Sequence, residues 1–135
     1  MFNSSGQAAA INQDGGINSA SNPALRGSVI SLYGTGQGPV SPPVPDGIGA
    51  PNSPLSNTIA VPTSDGRTCT ASQPSMCVAI GNGFGDIMFS GLAPGGVGLW
   101  QINVRIPPSA TPGGAVQVRI LINGTPSNLV TLAIR

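Results

Sequence analysis

From Leu99 to Ile106 the chain alternates: Trp100, Ile102, Val104 and Ile106 are apolar, and Gln101, Asn103 and Arg105 between them are polar. A period of two sends successive side chains to opposite faces of an extended backbone, so this stretch reads as a strand with one face buried and one in water. Pro107-Pro108 ends it, because proline has no N–H to give a ladder. The pattern recurs from Ala115 to Ile122, where Val116, Val118, Ile120 and Ile122 oppose Gln117 and Arg119. Asn123-Gly124 then supplies a strong turn signal leading toward a further strand over Leu129 to Ile134. These three strands are expected to form a meander. Shorter candidates are Ser28 to Tyr33, Thr58 to Val61, Val78 to Ile80 and Asp86 to Phe89, each bounded by Gly, Pro or Asn. Gln7 to Asn12, with a return near Ile17 across Asp14-Gly15, adds an N-terminal hairpin within an arm over residues 1–26.

Composition decides whether such strands can pack. Glycine and proline, at 20 and 14 of 135 residues, reach the edge of the low-complexity range. Ile, Val, Leu and Phe, at 12, 10, 8 and 3 residues, nevertheless make up about a quarter of the chain. That exceeds the roughly 20% below which ordering entropy is not offset by burial. Ile and Val dominate, and β-branched side chains suit a pleated surface. No amphipathic helix pattern persists for ten residues. The expected fold is one all-β domain over residues 1–135, an antiparallel two-sheet sandwich of about seven or eight strands, with a small barrel as the runner-up. Between Gly36 and Asn57 the Gly/Pro-rich run, including Ser41-Pro42-Pro43-Val44-Pro45, is too polyproline-like for a central strand and reads as a long surface loop.

Charge removes whole classes of function. All five cations are Arg, all four anions are Asp, and His, Lys and Glu are absent. Without His there is no Ser-His-Asp or Cys-His arrangement and no histidine metal site, and without Lys no Schiff base or P-loop lysine. A net charge of +1 offers no field to gather phosphates or acidic headgroups, so neither nucleic acid nor membrane insertion is expected. The opening Met1-Phe2-Asn3-Ser4-Ser5-Gly6 lacks the basic and apolar regions of a signal peptide, and the chain reads as a piece of a longer exported precursor. Cys69 and Cys77 are too far apart for a redox or zinc pair. A local disulfide in an oxidising compartment is expected, closing a hairpin tip; the plain alternative is two buried thiols.

Several runs resemble a known family. Gly6-Gln7-Ala8-Ala9-Ala10-Ile11-Asn12-Gln13-Asp14-Gly15, Asn22-Pro23-Ala24-Leu25-Arg26-Gly27 and Leu32-Tyr33-Gly34-Thr35-Gly36-Gln37-Gly38 resemble a C-terminal domain of large exported proteins of Solibacter and other Acidobacteria. Phe89-Ser90-Gly91-Leu92-Ala93-Pro94-Gly95 followed by Val97-Gly98-Leu99-Trp100-Gln101-Ile102-Asn103-Val104-Arg105-Ile106-Pro107 is the most specific part. The second half is also similar to an immunoglobulin-like domain of the IPT/TIG type. The resemblance implies an extracellular, immunoglobulin-like β-sandwich without an assigned activity. Residues 63–77, with both cysteines, stand as an insertion relative to that pattern.

Each chemical possibility has a plainer counterpart. Asp14, Asp46 and Asp65 all precede glycine, the signature of a turn, whereas glycosidase chemistry needs two carboxyls held about 5–10 Å apart. Asn12, Asp14 and Asn18 offer hard oxygens for calcium, but no Glu exists to close an EF-hand loop. Gly81-Asn82-Gly83-Phe84-Gly85 has the glycines of a phosphate loop without the helix, and reads as a β-corner. Asn3-Ser4-Ser5 and Asn123-Gly124-Thr125 are glycosylation sequons, the second doubling as a turn. Trp100 shares the parity of Ile102 and belongs to the core, while Tyr33 lies opposite in parity to Ile30 and Leu32 and faces outward.

The resulting expectation is a non-catalytic structural or interaction domain, extracellular or at the cell surface, with no cofactor and no metal. Its partner is protein, either a second copy, as in a filament, or a neighbouring domain of its parent. The motive is a 7% charged chain without the lysines that usually guard sheet edges. The N-terminal arm is either a strand laid on another sheet's edge, with Ala8, Ala10 and Asn12 setting register, or the first hairpin of its own domain. Ala8, Ala10, Asn12 and Tyr33 are the candidate contact residues. The alternative function is a carbohydrate-binding module.

Overall fold

The computed structural model describes residues 3–4, 6–63, 69 and 75–135, and no helix occurs among them. The strands in chain order are β1 (Asn3–Ser4), β2 (Gln7–Ala8), β3 (Ala10–Ile11), β4 (Val29–Gly34), β5 (Val40–Ser41), β6 (Asn57–Thr58) and β7 (Val61–Pro62). They continue as β8 (Ser75–Ile80), β9 (Gly83–Leu92), β10 (Trp100–Arg105), β11 (Gly113–Ile122), β12 (Thr125–Pro126) and β13 (Val130–Ile134). β4, β8, β9, β10, β11 and β13 carry the fold, and the others are two-residue strands along its margins.

Burial follows the alternation in the sequence. Trp100, Ile102, Val104 and Ile106 are buried, and they pack in one apolar cluster with Ile30 and Leu32 of β4, Met76, Val78 and Ile80 of β8, and Val118 and Ile120 of β11. Each such side chain contributes about 1.5–3 kcal/mol relative to exposure, which makes this cluster the main source of stability. The cluster lies between two sheets. One runs β1-β2-β13-β11-β8 and takes in the start of β9; the other runs β3-β4-β10 and takes in the rest of β9, then β6 and β5.

β9 belongs to both sheets. Gly83 to Gly85 pair with β8, whereas Asp86 to Leu92 pair with β10. At the crossing a Cβ on Gly85 would stand 2.4 Å from Val104 Cγ2, so only glycine lets the strand pass so near its next partner. On the opposite flank the N-terminal arm makes the same passage: β2 pairs with β13 at Gln7 and Thr131, and β3 pairs with β4 through Ala10 and Leu32. Chain therefore joins the two sheets along both flanks, a sandwich with barrel character.

Three expectations change. The last long strands do not form a meander, because β10 lies in one sheet and β11 and β13 in the other. Alternation fixes which side chains face the core but not which strand lies alongside. The pairing is not wholly antiparallel, since β13–β2 and β7–β8 run parallel. The segment expected as one strand from Thr58 to Val61 is two, with β6 beside β9 in one sheet and β7 beside β8 in the other. Asn123 and Gly124 do form the expected turn, with φ of 51° and 78°, as a two-residue type I′ hairpin requires. It returns the chain to β12, which pairs with Leu121 and Ile122, before β13 begins.

The loop after β4 is held in place. Ala50 N–H donates to Gly96 O at 2.9 Å and Ala50 O accepts from Gly95 N–H at 2.8 Å, fastening it to the turn before β10. Within the expected insertion, the described residues are Thr63, Cys69 and 75–77; the rest lies outside the described residues. Cys69 and Cys77 form a disulfide with a Cα–Cα distance of 6.0 Å. Cys77 sits inside β8, opposite Leu121 of β11, and Cys69 Sγ lies 3.6 Å from the Leu121 carbonyl oxygen. The bond thus ties Cys69 to the interior of a paired strand, and the expected hairpin tip, residues 70–74, lies outside the described residues. β8 begins earlier than Val78 because β7 and β11 bracket its first residues.

Candidate functional site

The arm's candidate contact residues are consumed by the domain itself. Ala8 and Ala10 are 5% and 4% exposed and belong to the core cluster, where small side chains let the arm cross close to both sheets. Asn12 is also buried, and its Nδ2 donates to Asn22 O at 2.8 Å. Asn18 Nδ2 donates both to Asn12 Oδ1 at 3.0 Å and to Ala133 O at 2.8 Å, and Asn18 Oδ1 accepts from Ala133 N–H at 2.9 Å. Asn18 thereby pairs with the backbone of β13 as a strand would. The oxygens considered for calcium are the acceptors of these bonds, and Asp14 Oδ1 accepts from Gly16 N–H at 2.8 Å in the turn before Ile17. Among the described residues no group of three His, Cys, Asp or Glu is placed to hold a metal ion.

The sheet margins are closed by means other than lysine. β5 is flanked by Pro39 and Pro42, β7 contains Pro62 and β12 contains Pro126. β3 is covered by a bridge from Ile11 to Ile17. Strands of two residues with proline in or beside them offer few N–H groups to an incoming strand. At these margins, side chains more than free backbone edges are what the surface presents.

Two regions present them. The first is where the loop after β4 meets the turn before β10: a groove of about 340 Å³ with Pro43, Pro45, Ile48 and Val97 in its wall and Asp46 at its rim. Ile48 and Val97 are more than half exposed, as are Ile59 and Val61 farther along the same chain segment. The second is the outer face of β4, β10 and β9. Tyr33 stands opposite Gln101, and Asn103 stands between Ser31 and Phe89. All five are half-buried. Asn103 Oδ1 accepts from Ser31 Oγ at 2.8 Å and from Gln101 Nε2 at 3.0 Å.

Trp100 takes no part in either region. It is 3% exposed, and its Nε1–H donates to Ser90 Oγ at 3.0 Å. Of the two sequons, Asn123 uses its Oδ1 to accept from Ser75 N–H at 2.9 Å, as part of the turn. The carboxylates are dispersed: Asp14 in the turn after β3, Asp46 in the loop after β4 and Asp86 on β9 opposite Arg105, while Asp65 lies outside the described residues.

Sequence reasoning placed Tyr33 outward but missed the ladder beside it. The signal was present in the polar, off-phase positions Ser31, Gln101 and Asn103, but the register that sets them side by side is a long-range property. Compared with protein-family models, with curated proteins and with solved structures, the chain matches none.

Proposed function

We propose that this chain is a non-catalytic, immunoglobulin-like interaction domain of an exported bacterial protein, which associates through side-chain surfaces with a second copy or with neighbouring domains of its parent. The observation that carries the proposal is the run of large apolar side chains left in water on one segment, Ile48, Leu55, Ile59 and Val61, with Val97 on the turn hydrogen-bonded to it. Ile48 and Val97 share one groove beside the pinned loop, and exposed apolar side chains so placed are the usual mark of a protein contact. A chain with 7% charged residues and no Lys has little to keep such a surface apart from its like. The Cys69–Cys77 disulfide favours an oxidising compartment, and among the described residues no helix is long and apolar enough to cross a membrane. The resemblance of several runs of the sequence to a C-terminal domain of exported Acidobacterial proteins favours the same placement.

Sedimentation velocity over a concentration series tests the reading. The expected result is concentration-dependent association that Ile48→Asp with Val97→Asp weakens by about tenfold or more in dissociation constant. A wild-type chain that remains monomeric at the highest concentration would reject self-association.

A further inference from the structure

We propose that the outer face of β4, β10 and β9 is a platform for a neutral, β-linked glycan chain, contacted by Tyr33, Gln101, Asn103 and Phe89. This goes beyond protein association and uses a different surface from the groove around Ile48.

The face is organised from its middle strand outward. The two hydrogen bonds to Asn103 Oδ1, from Ser31 and from Gln101, occupy both lone pairs of that oxygen and fix the orientation of both amides. Among the described residues, Asn103 Nδ2 and Gln101 Oε1 meet no hydrogen-bond partner. An oriented pair of N–H donors beside an oriented carbonyl acceptor suits neighbouring sugar hydroxyls, each of which both donates and accepts. Because the amides are already held, little ordering cost remains for a ligand.

Aromatic rings stand on either side. Phe89 lays its ring along β9 over Gly91, with Cζ 2.9 Å from where a Gly91 Cβ would be. That Cβ would also lie 2.3 Å from Ser56 O, so glycine at 91 is what allows both the close approach of the 56–57 backbone and the Phe89 ring beside it. Tyr33 lies on the other flank, in the same row as Gln101 and Gly91. β4 and β9 are the two neighbours of β10, so the flanking positions are about 10 Å apart, close to the length of a disaccharide. Rings at that spacing can stack on the apolar faces of alternate sugar units while the amides bind the hydroxyls between.

Charge and shape narrow the ligand. The charged groups on this face are Asp86 and Arg105, opposite one another at one end, so the platform itself is neutral and gives an acidic polysaccharide no counter-charge. Within the sheet β3 lies beyond β4 and β6 beyond β9, and the 56–57 backbone borders this face at Gly91. A flat surface fits the extended ribbon of a β-1,4-linked chain better than the coil of an α-linked one.

Titration of the ¹⁵N-labelled full chain with cellohexaose, xylohexaose and mannohexaose, and with maltohexaose as the α-linked control, tests the proposal by NMR. The expected result is saturable shifts at the amides around Tyr33, Gln101 and Phe89 with at least one β-linked hexasaccharide and none with maltohexaose. Tyr33→Ala and Gln101→Leu should each weaken that binding by about tenfold, while Asn82→Ala in the β8–β9 turn leaves it unchanged. Trp100 fluorescence and the melting curve confirm that each variant is folded. No shift at millimolar sugar, shifts that map elsewhere, equal binding of maltohexaose, or binding indifferent to both platform variants would overturn it. The sedimentation result is independent of all these outcomes.

Discussion

Ser90 shows how little room the interior leaves for change at the scale of one residue. Its Oγ accepts from Trp100 Nε1–H at 3.0 Å and from the Thr58 hydroxyl at 2.9 Å, and donates to Met76 Sδ at 3.5 Å. A hydroxyl has one donor and two acceptor sites, and here all three are used. Ser90→Ala should cost about 1–3 kcal/mol, because the buried Trp100 N–H loses its acceptor. Urea denaturation should show the loss as a lower midpoint with an unchanged slope. Asn18→Ala belongs to the same class, since it strips the backbone of Ala133 of a two-point partner. The parity of Trp100 was legible in the sequence, since its neighbours in the alternation are all apolar. Its partner was not, because Ser90 is set beside it by pairing between strands.

Strands were legible in proportion to the regularity of their alternation. β10 and β11 could be read nearly to their ends, but only Asp86 to Phe89 of the ten residues of β9 stood out. Gly83, Gly85 and Gly91 interrupt that strand, and a bulge resets its phase: Asn103 faces Phe89 whereas Val104 faces Ile87, leaving Met88 extra and exposed. The two-residue margin strands carry no periodicity at all. The prolines in or beside β5, β7 and β12, read in sequence only as breakers, close the edges there. The disulfide acts at this scale too, holding Cys69 against β8 and β11. Closing so short a loop stabilises by roughly 2–3 kcal/mol in the chain-entropy model. Reduction should therefore lower the melting temperature by roughly 10 °C in scanning calorimetry while leaving a cooperative transition. Complete unfolding on reduction would mean that the bond supports the sandwich as a whole.

For the molecule as a whole, the least legible feature was the N-terminal arm. The sequence allowed it to serve another sheet or its own, because Gln7 to Asn12 is too short and too polar to declare a partner. The structure places it across one flank, with Ala8, Ala10 and Asn12 buried and Thr131 N–H and Tyr33 N–H donating to Gly6 O and Ala9 O. With β9 on the other flank, the arm makes the sandwich self-contained, its own strands filling the place a partner's strand would take. The most direct measurement is the unfolding of a chain lacking residues 1–21. Loss of the cooperative transition, with Trp100 fluorescence shifted to that of a solvated indole, is what this account predicts. A folded monomer melting near the intact chain would contradict it and return the arm to the role of a strand offered to another molecule.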